Sequence, residues 1–531
     1  MEAAQPRAPT EVRPWWETRW FVAALILISA IPLLYPTVPP LVDLPGHMGR
    51  YRVQLDLNNS PWLQQYYDFQ WAAIGNLGVD VLVEPLGRLL GLELAVKLII
   101  LAIPPMTVAG FLWVAREVHH RVPPTAMFAL PFAYCHPFLY GFANFALSMA
   151  LAFLAFGLWL RLGRLGRVKL RAILFVPISI IVFFAHTFGW GALGLMCFSA
   201  EAVRQHDKGR SWFMSGVRAA LKASVMALPL LFMILWRTDM PVGMTRNFFM
   251  WQLKWEWVYS ALRDRWHDFD QASMAVIALL LLFAIVSRHL TLSRNLLFSG
   301  LVLLAFYIIL PWTIFGSAYA DMRLAPYVVV VLVLAIRSRG ETHMPTARTL
   351  AYLGLAFFLV RTAGTTASMT MAARDHESKL AALEAVPWGA RVAVMVGRPC
   401  VRPWELPRNS HLGAMVIVRN HGFSNDQWAI SGTNLLKVHY PRAGVFQADP
   451  SQMVLPNVCG RGRWTVNRAL TELPLYAFDY LWLVDVPSYD PSLLEGMQKV
   501  WEKDGSAVYR INPYGVQRPR AKPRTASESG R

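Results

Sequence analysis

The sequence predicts a mainly α-helical protein, a polytopic membrane helix bundle with a small α/β domain near its C-terminal end. Three observations predict it. The 531 residues are 55% hydrophobic and 13% aromatic, above the norm for a soluble chain. Several apolar runs reach the roughly 18–20 residues that cross a bilayer. From Met371 onward the texture changes, and short apolar runs alternate with charged amphipathic stretches.

The length rule yields about eleven candidate spans. They are residues 20–41, 92–115, 124–142, 144–160, 172–185, 188–203, 216–236, 271–286, 295–315, 325–336 and 349–366. The first is long, is preceded by a polar arm and has no small-residue cleavage site, so it reads as a retained span and not a signal peptide. The stretch 172–203 leaves two readings, one long helix or a tight hairpin turning at "HTFGWG".

Charge selects the hairpin. Short loops rich in Lys and Arg stay in the cytoplasm. The arm 1–19, "AREVHHR", "RLGRLGRVKLR" and the basic loops near 204–222, 288–294 and 337–348 share one side only if 172–203 crosses twice. The N-terminus is then inside and the C-terminus outside. Much of the net charge of +18 is this topology signal, spread over separate loops, and it gives no support to nucleic-acid binding. Residues 20–366 form the expected transmembrane domain, with outer loops 42–91 and 237–270. In those loops "VDVLVEPLGRLL" and the Trp-rich "MWQLKWEWVYSALRDRW" suit the membrane interface.

Residues 367–513 read as an extracytoplasmic α/β domain, followed by a disordered basic tail at 514–531. "ARVAVMVG", "DYLWLVDVP" and "SAVYRI" read as strands, while "AARDHESKLAALEAV", "SHLGAMVIVRNHG" and "PSLLEGMQKVWEKDG" read as helices, the last closed by Gly505. Cys400 and Cys459 fall in this domain, and an oxidising compartment permits a disulfide between them; two separate thiols are equally compatible with the spacing. No CxxC, HExxH, P-loop or GxSxG pattern occurs in a suitable setting, so no metal or cofactor is expected.

The chemistry-bearing stretch is "VDLPGHMGRYR", directly after the first span. A helix beginning at Pro45 places Asp43, His47 and Arg50 on one face, with Arg52 close by. A carboxylate there can act as general base and an arginine can hold a phosphate bidentately. The plainer reading makes Asp43 a helix cap and the arginines headgroup contacts. Asp80 and Glu84 follow in the same loop. His136, His186, Asp321 and Arg323 sit near the outer ends of later spans, where ionisable groups are rare enough to count as functional candidates.

The pattern resembles the membrane-embedded C-type glycosyltransferases, which use polyprenyl-phosphate-linked sugars. These have many spans, an inside N-terminus, a large first outer loop with an acidic motif after the first span, and often a soluble outer C-terminal domain. "VDLPGHMGRYR" also looks like the Asp-x-Pro-x-His-x-x-Arg opening of bacterial multi-pass proteins grouped with that class. The resemblance covers residues 20–366. It implies Asp43 as the catalytic carboxylate, with Arg50, Arg52 and Arg323 holding the lipid phosphate. Where the class often shows paired acids, Leu44 follows Asp43, so the second acid would be Asp80 or Glu84.

The implied partners are a polyprenyl-phosphate-linked sugar donor, a glycan, lipid or protein acceptor, and membrane lipids, at a bacterial inner membrane. The implied chemistry is inversion at the sugar carbon. A transporter or flippase would place charges at the bilayer midplane and show repeated halves. A non-catalytic scaffold for envelope polysaccharide assembly would use the outer domain to bind partners. Replacing Asp43 by Asn should abolish sugar transfer in the enzyme and change little in the scaffold, whereas a transporter would move a substrate across vesicles without altering it covalently.

Overall fold

The computed structural model describes residues 14–237, 244–314, 316–339, 344–428, 435–460 and 463–512, and the tail expected at 514–531 lies outside them. Helices dominate. Among the described residues, five are long and apolar enough to cross a membrane, and a sixth span is possible by length if one bent pair is counted. In chain order the elements used below are α1 (Arg19–Ile28), α2 (Leu44–Asp56), α3 (Gly78–Leu90), α4 (Leu92–His119), α5 (Ala143–Arg164), α6 (Val168–Ala185), α7 (Thr187–His206), α8 (His267–Val286), α9 (Arg294–Ile309), α10 (Ala320–Leu334) and α11 (Met344–Leu380).

The stretch 172–203 forms two helices that pack together, α6 and α7, broken at the single extended residue His186. Regular helix in the first expected span stops early. After α1 comes only a 3-10 turn, Ile31–Leu33, before the chain passes through bends and turns to Asp43. Pro32 and Pro36 supply no N–H for a continuing ladder.

The expected span 124–142 is not a lipid-facing α-helix. It is a 3-10 stretch, Pro124–Tyr134, and a short helix, His136–Leu139, with every residue of both buried. Pro124, Pro131 and Pro137 interrupt an α ladder, and such backbone is tolerated at membrane depth only inside protein. Span 216–236 is likewise split by Pro229, and its halves bend by 65°. At the other extreme, α11 runs unbroken through the expected boundary at 366/367 and carries the chain into the C-terminal domain.

The two interfacial readings have a structural counterpart. Helix α3 exposes Val81, Leu82, Leu89 and Leu90, and the helix Trp251–Tyr259 exposes Trp251, Trp255 and Tyr259 at i, i+4 and i+8.

The C-terminal domain is built on a mixed sheet. Strand β1 (Arg391–Gly397) is buried on both faces, as its run of Val, Ala and Met requires of a central parallel strand. It pairs in parallel with β2 (Phe423–Ser424), β3 (Met453–Val454) and β4 (Tyr480–Val484), with Val392 opposite Tyr480 and Val396 opposite Val484. Beyond β4, β5 (Gln498–Lys503) and β6 (Ser506–Arg510) form an antiparallel hairpin, β6 lying next to β4. This corrects the expected helix over "PSLLEGMQKVWEKDG". Only Pro491–Leu494 makes a 3-10 turn, and Asp504 and Gly505, both with positive φ, form the hairpin turn that Asp-Gly favours.

The segment 42–91 is fused to this domain. Tyr67–Phe69 pairs antiparallel with Leu436–Val438. Helix α2 packs on the segment Leu412–Asn420, and glycines allow the approach. A Cβ at Gly46 would sit 2.6 Å from Trp428, and one at Gly49 would sit 2.3 Å from Gln427. Below the domain, Arg408 Nη2 donates to Asp264 Oδ1 at 2.5 Å, Arg361 Nη1 donates to Asp270 Oδ1 at 2.7 Å, and Trp404 Nε1 donates to Asp270 Oδ2 at 2.8 Å. This buried network joins α8 and α11 to the loop that carries Arg398 and Arg402.

Candidate functional site

Asp43 stands at the N-terminal boundary of α2, but its carboxylate caps nothing. Its backbone is held instead. Val42 N–H donates to Leu139 O at 3.3 Å and Asp43 N–H donates to Tyr140 O at 3.0 Å. The approach depends on Gly141, whose φ is +98° and whose Cβ, if present, would lie 2.6 Å from Asp43 N. The carboxylate is therefore free for chemistry and remains 14% exposed.

Its closest cationic partner comes from the C-terminal domain. His411 Nε2 lies 3.8 Å from Asp43 Oδ1, and His411 Nδ1 lies 2.6 Å from Asp426 Oδ1. The imidazole thus stands between two acids. Burial alone would depress its pKa, but Asp426 and then Asp43 outweigh that and raise it to about 9. Burial raises Asp43 to about 7 although the His411 cation pulls the other way, and Asp449 adds to the rise. Asp426 is also raised, by burial first, with His411 opposing.

Asp449 completes the cluster. Gln452 Nε2 donates to Asp449 Oδ1 at 2.7 Å and to Asp426 Oδ1 at 3.0 Å. One ligand atom from each of His411, Asp426 and Asp449 lies within 4.8 Å of the others, so these residues have the spacing to hold a cation. Asp426 Oδ1 is already engaged by an imidazole and an amide. That arrangement suits a proton-sharing chain from Asp426 through His411 to Asp43.

Three arginines lie near Asp43 or its neighbour Tyr140. Arg323 is close enough to Asp43 to favour its ionised form. Its guanidinium lies 4.1 Å from the Phe142 ring centroid and donates from Nη1 to Ala318 O at 2.8 Å, while Nε is buried without a partner. Arg398 senses Tyr140, Tyr319 and Asp43, and burial lowers its pKa. Arg402 lies 5.6 Å from the Trp257 ring. Tyr140 and Tyr319, with centroids 5.4 Å apart, line the same region. The Cys400–Cys459 disulfide, with Cα atoms 5.4 Å apart, closes the loop between the two arginines' segment and β3.

The other sequence candidates are engaged with other partners. His47 does not face Asp43 as its imidazole partner; its ring packs 5.0 Å from Trp428, and burial, then Arg50 and His411, push its pKa well down, leaving it neutral. Arg50 turns inward to Asp80 at 2.8 Å, both fully enclosed, and Asn144 donates to Asp80 at 3.0 Å. Neither is placed for phosphate binding or proton transfer, because each satisfies the other's buried charge. Arg52 bonds Asp56 at 2.5 Å and Val418 O at 3.0 Å, joining α2 to the C-terminal domain. Glu84 is engaged by Gln54 at 2.9 Å and Arg88 at 2.6 Å.

His136 is buried beside Trp257, with Ser260 Oγ at 3.5 Å from Nδ1. His186 caps α7, its Nδ1 accepting from Phe188 N–H at 3.1 Å. Asp321 pairs with Lys254 at 3.4 Å and accepts from Met322 N–H at 2.9 Å. Of the expected set, Asp43 and Arg323 come together; His411, Asp426, Arg398 and Arg402 were not anticipated.

Neither a family model nor a curated protein sequence matches this chain.

Proposed function

We propose that this protein is a membrane glycosyltransferase that moves a sugar from a polyprenyl-phosphate donor to a glycan, lipid or protein acceptor at the outer face of a bacterial inner membrane. The observation that carries the reading is the approach of His411 to Asp43 beside Arg323, at the point where the chain leaves its first apolar run. Supporting it, the disulfide in the C-terminal domain suits an oxidising compartment, and the basic loops collect at the opposite ends of the helices. The eleven-span topology, N-terminus inside and C-terminus outside, belongs to this proposal.

In the reaction, Asp43 takes the proton of the acceptor hydroxyl. The acceptor oxygen forms a bond to the anomeric carbon as the carbon–phosphate oxygen bond breaks on the other face, inverting the centre. The lipid phosphate leaves with the bonding electron pair, its charge met by Arg323 with Arg398 and Arg402. A base whose pKa is near 7 is matched to the working pH. His411 holds Asp43 ionised and in place, and Asp426 keeps the imidazole charged and oriented.

Mass spectrometry of lipid-linked sugars and envelope glycans from cells lacking the protein tests the reading. A missing sugar on the glycan, with build-up of the lipid-linked donor, is expected. Unchanged glycans and donor pools would refute sugar transfer.

A further inference from the structure

A cavity of about 910 Å³ lies at the far end of the bundle from Asp43, between the starts of α1 and α11 and the end of α4. The separation is large, since the 28 residues of α4 span about 42 Å and its other end meets the C-terminal domain through the Glu93–Arg419 pair. The lining includes Arg19, Arg116, Arg121 and Arg337 against one carboxylate, Glu17. Among the described residues, Arg116, Arg121 and Arg337 make no side-chain hydrogen bond or ion pair.

A topology signal requires only that such arginines lie on one side; it does not require that they converge on a cavity. The walls add a second observation. Trp16 Nε1, His119 Nδ1 and Ser338 Oγ all belong to lining residues, and all three atoms are buried with no hydrogen-bond partner. Trp16 is 3% exposed and His119 is 7% exposed, so water does not serve them freely. The cavity is graded as well. Its arginines gather at one end, while Val22, Ile26, Ala109 and Leu112 line the direction along α1 and α4 toward the middle of the bundle.

We infer that this cavity binds an anionic glycerophospholipid. The phosphate takes the arginine end, with the Trp16 and Ser338 donors within the walls, and an acyl chain follows α1 and α4. A free phosphate offers the same headgroup chemistry but leaves the apolar wall empty. The inference does not rest on the sugar-transfer reading, and its failure leaves that reading untouched.

The test is native mass spectrometry of the full-length protein from detergent, titrated with phosphatidylglycerol or phosphatidylcholine. Three variants are compared: Arg116→Gln/Arg337→Gln, a charge-matched control Arg167→Gln/Lys169→Gln at the exposed start of α6, and Ala109→Phe, which fills the apolar end. Wild type and control should retain phosphatidylglycerol over phosphatidylcholine. The arginine variant should lose about tenfold in affinity, on the order of 1.4 kcal/mol. Ala109→Phe should weaken phosphatidylglycerol without any change in charge. Circular dichroism and thermal melting in lipid-free detergent identify a misfolded variant, and Arg121→Gln then replaces the arginine pair. Equal retention by the arginine variant and the control would overturn the inference. So would full displacement of the lipid by inorganic phosphate, or an Ala109→Phe protein that binds phosphatidylglycerol like wild type.

Discussion

His411 Nε2 lies 3.8 Å from Asp43 Oδ1, so the C-terminal domain supplies the group that governs the acid just beyond the first apolar run. The domain is part of the site and not an appendage to the bundle. It is anchored from two directions, through the glycine face of α2 and through the Asp264–Arg408 and Asp270–Arg361 network.

The electrostatics predict a pH profile. Asp43 is a base only when ionised, so transfer should rise with pH through about 7. The His411 cation lowers the Asp43 pKa, hence His411→Gln should move that rise to higher pH, by roughly 1–3 units. Asp426→Asn should move it less, because it removes both the largest charge that keeps His411 protonated and a carboxylate that itself raises Asp43. Initial rates across pH for the three proteins check this, and a profile that does not move would remove His411 from the account.

Arg323 and Arg398 are assigned to the donor phosphate. Arg323→Ala and Arg398→Ala should each raise the donor KM, with Arg323→Lys only partly restoring it because a lysine loses the planar fork. Steady-state kinetics with varied donor measures the effect. A change confined to the acceptor KM would place the phosphate elsewhere.

Arg50 and Asp80 should behave differently. Their buried pair ties α2 to α3, and Arg50→Ala would strand the Asp80 carboxylate, at about 3–5 kcal/mol. Lower folded yield is expected, with specific activity of the surviving protein little changed. Fluorescence-detected size exclusion alongside activity per folded molecule separates the two.

Asp43 stands out in the sequence because an imidazole and two arginines share its stretch just beyond an apolar run, although a helix cap is the plainer reading of the acid alone. Its partners do not. His411 and Asp426 reach it only through the tertiary docking of α2, and the clue was the pair of glycines in "PGHMG", whose missing side chains admit Gln427 and Trp428. His47 was a fair candidate by helical spacing, yet the Trp428 ring claims it. Arg50 is expected at the lipid phosphate because burial beside Asp80 cannot be seen in a polar loop. In the domain itself, "WEKDG" was read as a helix end, although Asp-Gly between β-forming residues is a hairpin signal; the helical spacing of "LLEGMQKV" hid it.

Gly141 gives a sharper probe of geometry. Its φ of +98° disfavours any side chain, and a methyl group would press on the Asp43 backbone. Gly141→Ala should lower turnover more than it alters the donor KM, since it displaces the base and not the arginines. Equal turnover in this variant would show that the Leu139–Tyr140 backbone does not set the position of Asp43.

The central claim is that Asp43 removes the acceptor proton. The most direct measurement is sugar transfer by the full-length Asp43→Asn protein, expressed in cells lacking the native copy and read by mass spectrometry of glycans and lipid-linked donor. With insertion and yield unchanged, transfer should fall by about a hundred- to ten-thousand-fold, and donor should accumulate as in the deletion. Glycans indistinguishable from those of wild-type cells would contradict the account.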